Sequence, residues 1–205
     1  SPSEHRRLGR ATFARLAACW YDTLRLPHLD AAHIRRLVQW PSRHNLDAAL
    51  AHGRGVVLVS PHLGGVEMAA ACLAAHGYPV TTLAEAIDPA LFSLLRRHRT
   101  RGGVTLLTPD EAVAAYRALQ RGEVLAIVAD RLIAGPGVEV PFCGGRRVMP
   151  VGPAAFARRA RAPLVVASMV RQPFGPPWYL GITEPAHLPG PSAEAMTALV
   201  AADFS

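Results

Sequence analysis

A histidine and a glutamate five residues apart, His62 and Glu67, flank the two-glycine turn Gly64-Gly65. A carboxylate on one imidazole nitrogen fixes the tautomer and leaves the other nitrogen free to take a proton. The plain alternative is a surface histidine beside a first-turn glutamate that suits the helix macrodipole. Two further carboxylates follow, of which Glu139 widens the choice of partner. Asp130 follows the apolar run 124–129, and Glu139 stands between Val138 and Val140. A carboxylate on an otherwise apolar stretch needs a partner. For Glu139 that partner is either His62 or an arginine such as Arg131, Arg146 or Arg147. A basic run, Arg96-Arg97-His98-Arg99-Thr100-Arg101, closes a predicted helix. Arginines suit a helix C-terminus by themselves, but four in six positions exceed what a cap needs, and the guanidinium fork matches phosphate.

Position follows from the elements that carry these residues. The unbroken apolar run 55–60 reads as a strand buried on both faces. Pro61 ends it, and a good helix former starts after Gly65. His62 therefore belongs at the C-terminal end of a central strand, where open α/β sheets place their sites. Asp130, at the end of another strand, should face the same crevice. Strands are expected at 55–60, 79–84, 104–107, 124–129, 138–142, 163–170 and 178–183. Helices are expected at 65–76, 88–99, 109–121, 152–161 and from 192 onward. Strands alternating with helices imply one α/β domain over residues 1–205, with a mostly parallel central sheet and helices on both faces. Residues 1–52 form an N-terminal helical region. Its first helix, 4–24, is amphipathic: Phe13, Leu16, Ala17, Trp20 and Leu24 share a face, with Arg6, Arg7, Arg10 and Arg15 as polar neighbours. Such a helix either packs on the domain or lies on a membrane surface. The C-terminal end, where a helical pattern stops at Ser205, is expected to be truncated or disordered.

The 205 residues suffice for one domain with a sizeable core. No apolar run is long enough for a transmembrane span, and the polar, basic start shows no signal peptide. The net charge is +7 and all 22 basic residues are arginine. That balance suits an anionic partner: a membrane surface, a phosphate-bearing ligand or nucleic acid. Nucleic acid is disfavoured, because aromatics are not interleaved with the basic run. Cys19, Cys72 and Cys143 have no metal or disulfide spacing and are read as reduced, which argues for a cytosolic setting. No metal is implied. A Gly-x-Ser-x-Gly elbow is absent, which disfavours a serine hydrolase.

Taken together, the blocks resemble a known superfamily. Ser60-Pro61-His62-Leu63-Gly64-Gly65-Val66-Glu67 is similar to the His-x4-Asp/Glu block of the lysophospholipid acyltransferases. The nearest branch is that of the lipid A lauroyl/myristoyl and phosphatidylinositol mannoside acyltransferases. Ala129-Asp130-Arg131, 137–144 and 149–154, with Trp20-Tyr21 and Leu24-Arg25-Leu26-Pro27, look most like the phosphatidylinositol mannoside enzymes. The sequence departs at Gly65-Val66, at Glu67 where that branch often has Asp, and at Cys143 in place of an aromatic residue.

The resemblance implies transfer of a fatty acyl chain from acyl-CoA to a mannose hydroxyl of a phosphatidylinositol mannoside, at the cytoplasmic face of the plasma membrane. Acyl-CoA is then a co-substrate and no further cofactor is called for. The alternatives are acylation of a lipid A precursor or another glycerolipid, and a non-catalytic protein that binds anionic lipid. Acyl transfer needs a base for the hydroxyl proton, a carboxylate to orient that base and donors for the oxyanion. His62 fills the first role and Glu67, Glu139 or both the second. Backbone N–H groups near Gly64-Gly65 or Gly152 are candidates for the third. Arg99, Arg101, Asp130, Arg131, Glu85, Gly64 and Gly65 make up the expected substrate-binding set. The favoured arrangement has His62 hydrogen-bonded to Glu139, with Glu67 beside it. In the other, Glu67 alone pairs with His62 and Glu139 pairs with arginine.

Overall fold

The first helix starts with a reciprocal cap. Ser1 Oγ accepts from the Glu4 N–H at 3.3 Å, while the Glu4 side chain reaches back to the Ser1 amine. In this computed structural model, helix α1 spans Pro2–Arg25. The structure describes residues 1–84, 88–173 and 175–205, with the side chains of Pro2, Leu91 and Arg101 outside the description. The elements that follow are α2 (Ala31–Leu37), β1 (Val38–Gln39), α3 (Arg43–Leu50), β2 (Val56–Ser60), α4 (Val66–Ala75) and β3 (Val80–Leu83). Next come α5 (Pro89–Arg101), β4 (Val104–Leu107), α6 (Ala112–Gln120) and β5 (Val124–Val128). The last third holds β6 (Gly137–Phe142), β7 (Gly145–Pro150), α7 (Gly152–Ala160), β8 (Leu164–Arg171), β9 (Tyr179–Thr183) and α8 (Ala193–Phe204).

Seven strands form one sheet in the order β1-β9-β8-β2-β5-β3-β4, parallel throughout except for the β8–β9 pair. All five residues of β2 are buried, as its apolar run requires. Val57 and Val59 pack with α6, α7 and α8 on one face, through Leu119, Ala157 and Met196. Val56 and Leu58 pack with α3 and α4 on the other, through Leu46 and Leu73. The expected single α/β domain, with its mostly parallel sheet and helices on both faces, is what forms.

Two strands escape the sequence reading. β1 has only two residues and directly follows α2. β7 reads as a loop because Gly145-Arg146-Arg147 lacks apolar alternation. It pairs antiparallel with β6 as a separate ribbon, joined by a two-residue turn. Both turn residues, Cys143 and Gly144, have positive φ (46° and 77°), the conformation that matches the twist of a tight hairpin.

The connections set up the site. From β2 the chain passes over β5 to reach β3, and from β5 it returns past β2 to reach β8. Adjacent strands with connections running opposite ways leave a crevice beyond their C-terminal ends. Residues leaving β2 and β5 emerge there.

Candidate functional site

β2 and β5 are parallel neighbours in a register that sets Ser60 beside Val128. The Ala129 N–H donates to Ser60 O at 3.0 Å, which carries the pairing one residue past the strand. His62 and Asp130 each lie two residues beyond that matched pair, so the sheet delivers them side by side. His62 Nδ1 and Asp130 Oδ1 are 2.5 Å apart. Asp130 is the more enclosed partner, with 16% of its side chain exposed against 46% for His62. A proton on Nδ1, donated to this carboxylate, leaves the Nε2 lone pair free.

The turn after His62 is held by backbone. Gly64 bridges to Met169 on β8, and the Gly65 N–H donates to Met169 O at 3.0 Å. Only glycine fits at Gly64: its φ is +69°, and a Cβ there would lie 1.9 Å from Met169 O. At Gly65 a Cβ would lie 2.6 Å from Tyr179 Cε1. The two glycines thus let the His62 turn sink against β8 and β9. Because the Gly65 N–H is already used by Met169, it cannot serve as an oxyanion donor. The first N–H groups of α4 can. Its N-cap, Gly65, supplies no side-chain acceptor, and Val66, Glu67 and Met68 line a 230 Å³ cavity that also reaches His62. Gly152 opens α7, on the face of the sheet that carries α6 and α8.

The carboxylates are arranged otherwise than expected. Glu139 does not take up the expected bond to His62; its Oε2 accepts from Arg146 Nε at 2.8 Å, and both side chains are largely exposed. Strand alternation is the reason. Val138 and Val140 face inward from β6, so Glu139 between them faces out, diagonal to Arg146 on β7. Glu67 does not take the imidazole either. It is gripped by the Arg99 fork, with Nε to Oε2 at 2.9 Å and Nη2 to Oε1 closer still. Arg99 Nη1 also donates to Thr82 Oγ1 at 3.1 Å. Arg99, expected to hold phosphate, is therefore engaged across α4, α5 and β3, and the pair is mostly enclosed. Arg131 is exposed beside Asp130. Glu85 and the Arg101 side chain lie outside the described residues.

The cavity beside His62 has apolar walls from Leu16 and Trp20 of α1, Met68 of α4, Leu95 of α5 and Tyr179 of β9. A second cavity of 290 Å³ adjoins it, sharing Thr23, Glu67 and Leu95. Beyond Glu67, its α4 wall is Ala70, Ala71, Ala74 and Ala75. The Glu67–Arg99 pair stands where the two spaces meet. The role of α1 as a cavity wall had no signal in the sequence beyond its apolar stripe.

The chain that carries this pair matches a known family along nearly its whole length. The family model for the bacterial lipid A biosynthesis acyltransferases matches residues 1–202. The chain belongs to that family. Within it, the chain is 33% identical over 162 residues to a phosphatidylinositol mannoside acyltransferase of Mycolicibacterium smegmatis, covering 76% of this chain and 53% of that protein. It is 34% identical over 155 residues to the protein of the same name from Mycobacterium tuberculosis, covering 71% of this chain and 49% of that one. The chain thus spans about half the length of the curated relatives it matches. Among the described residues, no helix of this lipid A acyltransferase family member is long and apolar enough to cross a membrane.

Proposed function

We propose that this protein transfers a fatty acyl chain from acyl-CoA to a mannose hydroxyl of a phosphatidylinositol mannoside, with His62 as general base and Asp130 as its partner. The observation that carries the reading is the His62–Asp130 pair, joined through Nδ1, beside an apolar cavity under the uncapped start of α4. The acceptor class rests on the names of the two mycobacterial relatives.

The chemistry follows from these groups. The acceptor hydroxyl gives its proton to His62 Nε2 as its oxygen attacks the thioester carbonyl. Asp130 holds the ring and stabilises the imidazolium that forms. The carbonyl oxygen becomes an oxyanion, which the free N–H groups of the first turn of α4, whose residues Val66, Glu67 and Met68 line the cavity, receive at the helix's positive end. On collapse, the C–S bond breaks and the coenzyme A thiolate leaves with the proton from His62. No acyl-enzyme is required. The alkyl chain lies among Leu16, Trp20, Met68 and Leu95.

The purified protein, given acyl-CoA and a phosphatidylinositol mannoside, is expected to yield the acylated mannoside and free coenzyme A, read by mass spectrometry. No acylated product would defeat the reading. Product formed only with a lipid A precursor would keep the reaction and replace the acceptor.

The same proposal seats the protein on the cytoplasmic face of the plasma membrane. The three cysteines are free, in keeping with a reducing compartment. Every described residue from Ser3 to Ala17 of α1 is exposed. Phe13, Leu16, Trp20 and Leu24 form an apolar stripe along the helix, with Phe13 75% exposed. Arg6, Arg7, Arg10 and Arg15 lie beside it. Each arginine near an anionic bilayer contributes about 1 kcal/mol, an attraction that salt screens. Binding to anionic vesicles is therefore expected to exceed binding to neutral ones and to weaken about tenfold or more from low to high salt. Equal sedimentation with both vesicle types at low salt would remove this part.

A further inference from the structure

Among the described residues, helix α1 is enclosed by the domain only near its C-terminal end, and its contacts there converge on the turn that carries His62. Asp22 is the buried residue of α1 among those described, at 5% exposure. Its Oδ2 accepts from Arg171 Nε at 3.2 Å and from the Tyr179 hydroxyl, and its Oδ1 lies 3.7 Å from Arg25 Nη1. Tyr179 is 1% exposed, and its ring is the surface on which Gly65 rests. One turn earlier, Cys19 Sγ donates to Gly64 O at 3.1 Å. Burial, reinforced by Asp22, pushes both the Cys19 thiol and the Tyr179 hydroxyl up from their ordinary pKa values, which keeps each protonated as a donor. Leu16 and Trp20 of the same helix stand in the wall of the His62 cavity.

We propose that Asp22 is a positioning residue for the acyl site: through Tyr179 and Arg171 it fixes where α1 lies across the His62 cavity and so sets the wall against which the acyl chain binds. The inference rests on the acyl-transfer reading for its substrate. Its physical ground is independent of that reading. A buried carboxylate with three cationic or hydroxyl partners holds one geometry, because losing any partner leaves a desolvated charge uncompensated. The rest of α1, from Ser3 to Ala17, is exposed, so the anchor at Asp22 and Cys19 decides the placement of Leu16 and Trp20.

Asp22→Asn removes the charge with little change of shape, and Tyr179→Phe removes the hydroxyl while keeping the ring under Gly65. Two readouts separate positioning from mere stability. One is the Kd of the fluorescent fatty acid cis-parinaric acid, which needs no turnover. The other is the division of the kinetic effect between KM for acyl-CoA and kcat. Each variant is expected to raise Kd and KM about tenfold, with kcat at saturation within about threefold. Leu46→Ala, a cavity in the core under α3 that lines neither of the two cavities, serves as the structural control: it should lower Tm without moving Kd or KM. The proposal is overturned if Asp22→Asn and Tyr179→Phe lower Tm as Leu46→Ala does and leave Kd and KM unchanged. A wild type that binds the probe but transfers nothing refutes the acyl-transfer reading, and the probe affinities then decide the role of Asp22. A wild type that binds no probe overturns the Asp22 proposal as well.

Discussion

Replacing His62 with alanine is expected to lower acyl transfer by about 10²- to 10⁴-fold, the range that a general base contributes. The fold should tolerate the change. The imidazole is 46% exposed and hydrogen-bonds Asp130. The turn around it is held by other groups: Gly64 on Met169, the Gly65 N–H on Met169 O, and Cys19 on Gly64 O. The loss therefore belongs to the chemical step and should appear in kcat, with acyl-CoA binding little altered. Single-turnover rates with saturating acyl-CoA, alongside Tm, make the measurement. A variant that keeps more than about a hundredth of the wild-type rate would remove His62 as the base and shift attention to binding alone.

The crevice was legible in the sequence because it depends on backbone pattern. Continuous apolar runs at β2 and β5, each ending in a polar residue before a break, place His62 and Asp130 at strand ends. The partner choice was not legible, because it depends on register and on which face a strand presents. Ser60 beside Val128 is a fact of pairing between segments 68 residues apart, and nothing local specifies it. Glu139 misleads for a related reason. Apolar neighbours on both sides suggest burial, yet in a strand neighbours face away from each other, so Val138 and Val140 imply an outward Glu139. Glu67 is near His62 in sequence, but Arg99, 32 residues on, offers a bidentate match that an imidazole cannot. Asp22 and Tyr179 are 157 residues apart. An acid on a strongly basic helix was the one available hint.

The three carboxylates now have distinct expected losses. Asp130→Asn should cost about 10²- to 10⁴-fold in kcat, because an amide can donate to Nδ1 and so favour the tautomer that has its proton on the catalytic nitrogen. The corresponding change in a Ser-His-Asp triad costs about 10⁴-fold by that route. Here the histidine is half exposed, which places the lower part of the range within reach. Glu139→Gln should leave kcat within about twofold, since it breaks an exposed pair with Arg146, and such pairs contribute about 0–1 kcal/mol. Glu67→Gln should act mainly on stability. It takes the carboxylate from Arg99, which is 13% exposed and would be left as an undercompensated charge, at a cost of about 1–3 kcal/mol. Its effect on rate should then be indirect, through the start of α4. Measuring kcat and Tm for all three variants decides among them. A Glu139→Gln loss equal to that of His62→Ala, with Asp130→Asn nearly silent, would mean that the ribbon of β6 and β7 moves to bring Glu139 to the imidazole during turnover. The reverse order, with Asp130→Asn close to His62→Ala and no fall in Tm, identifies Asp130 as the group that holds the base.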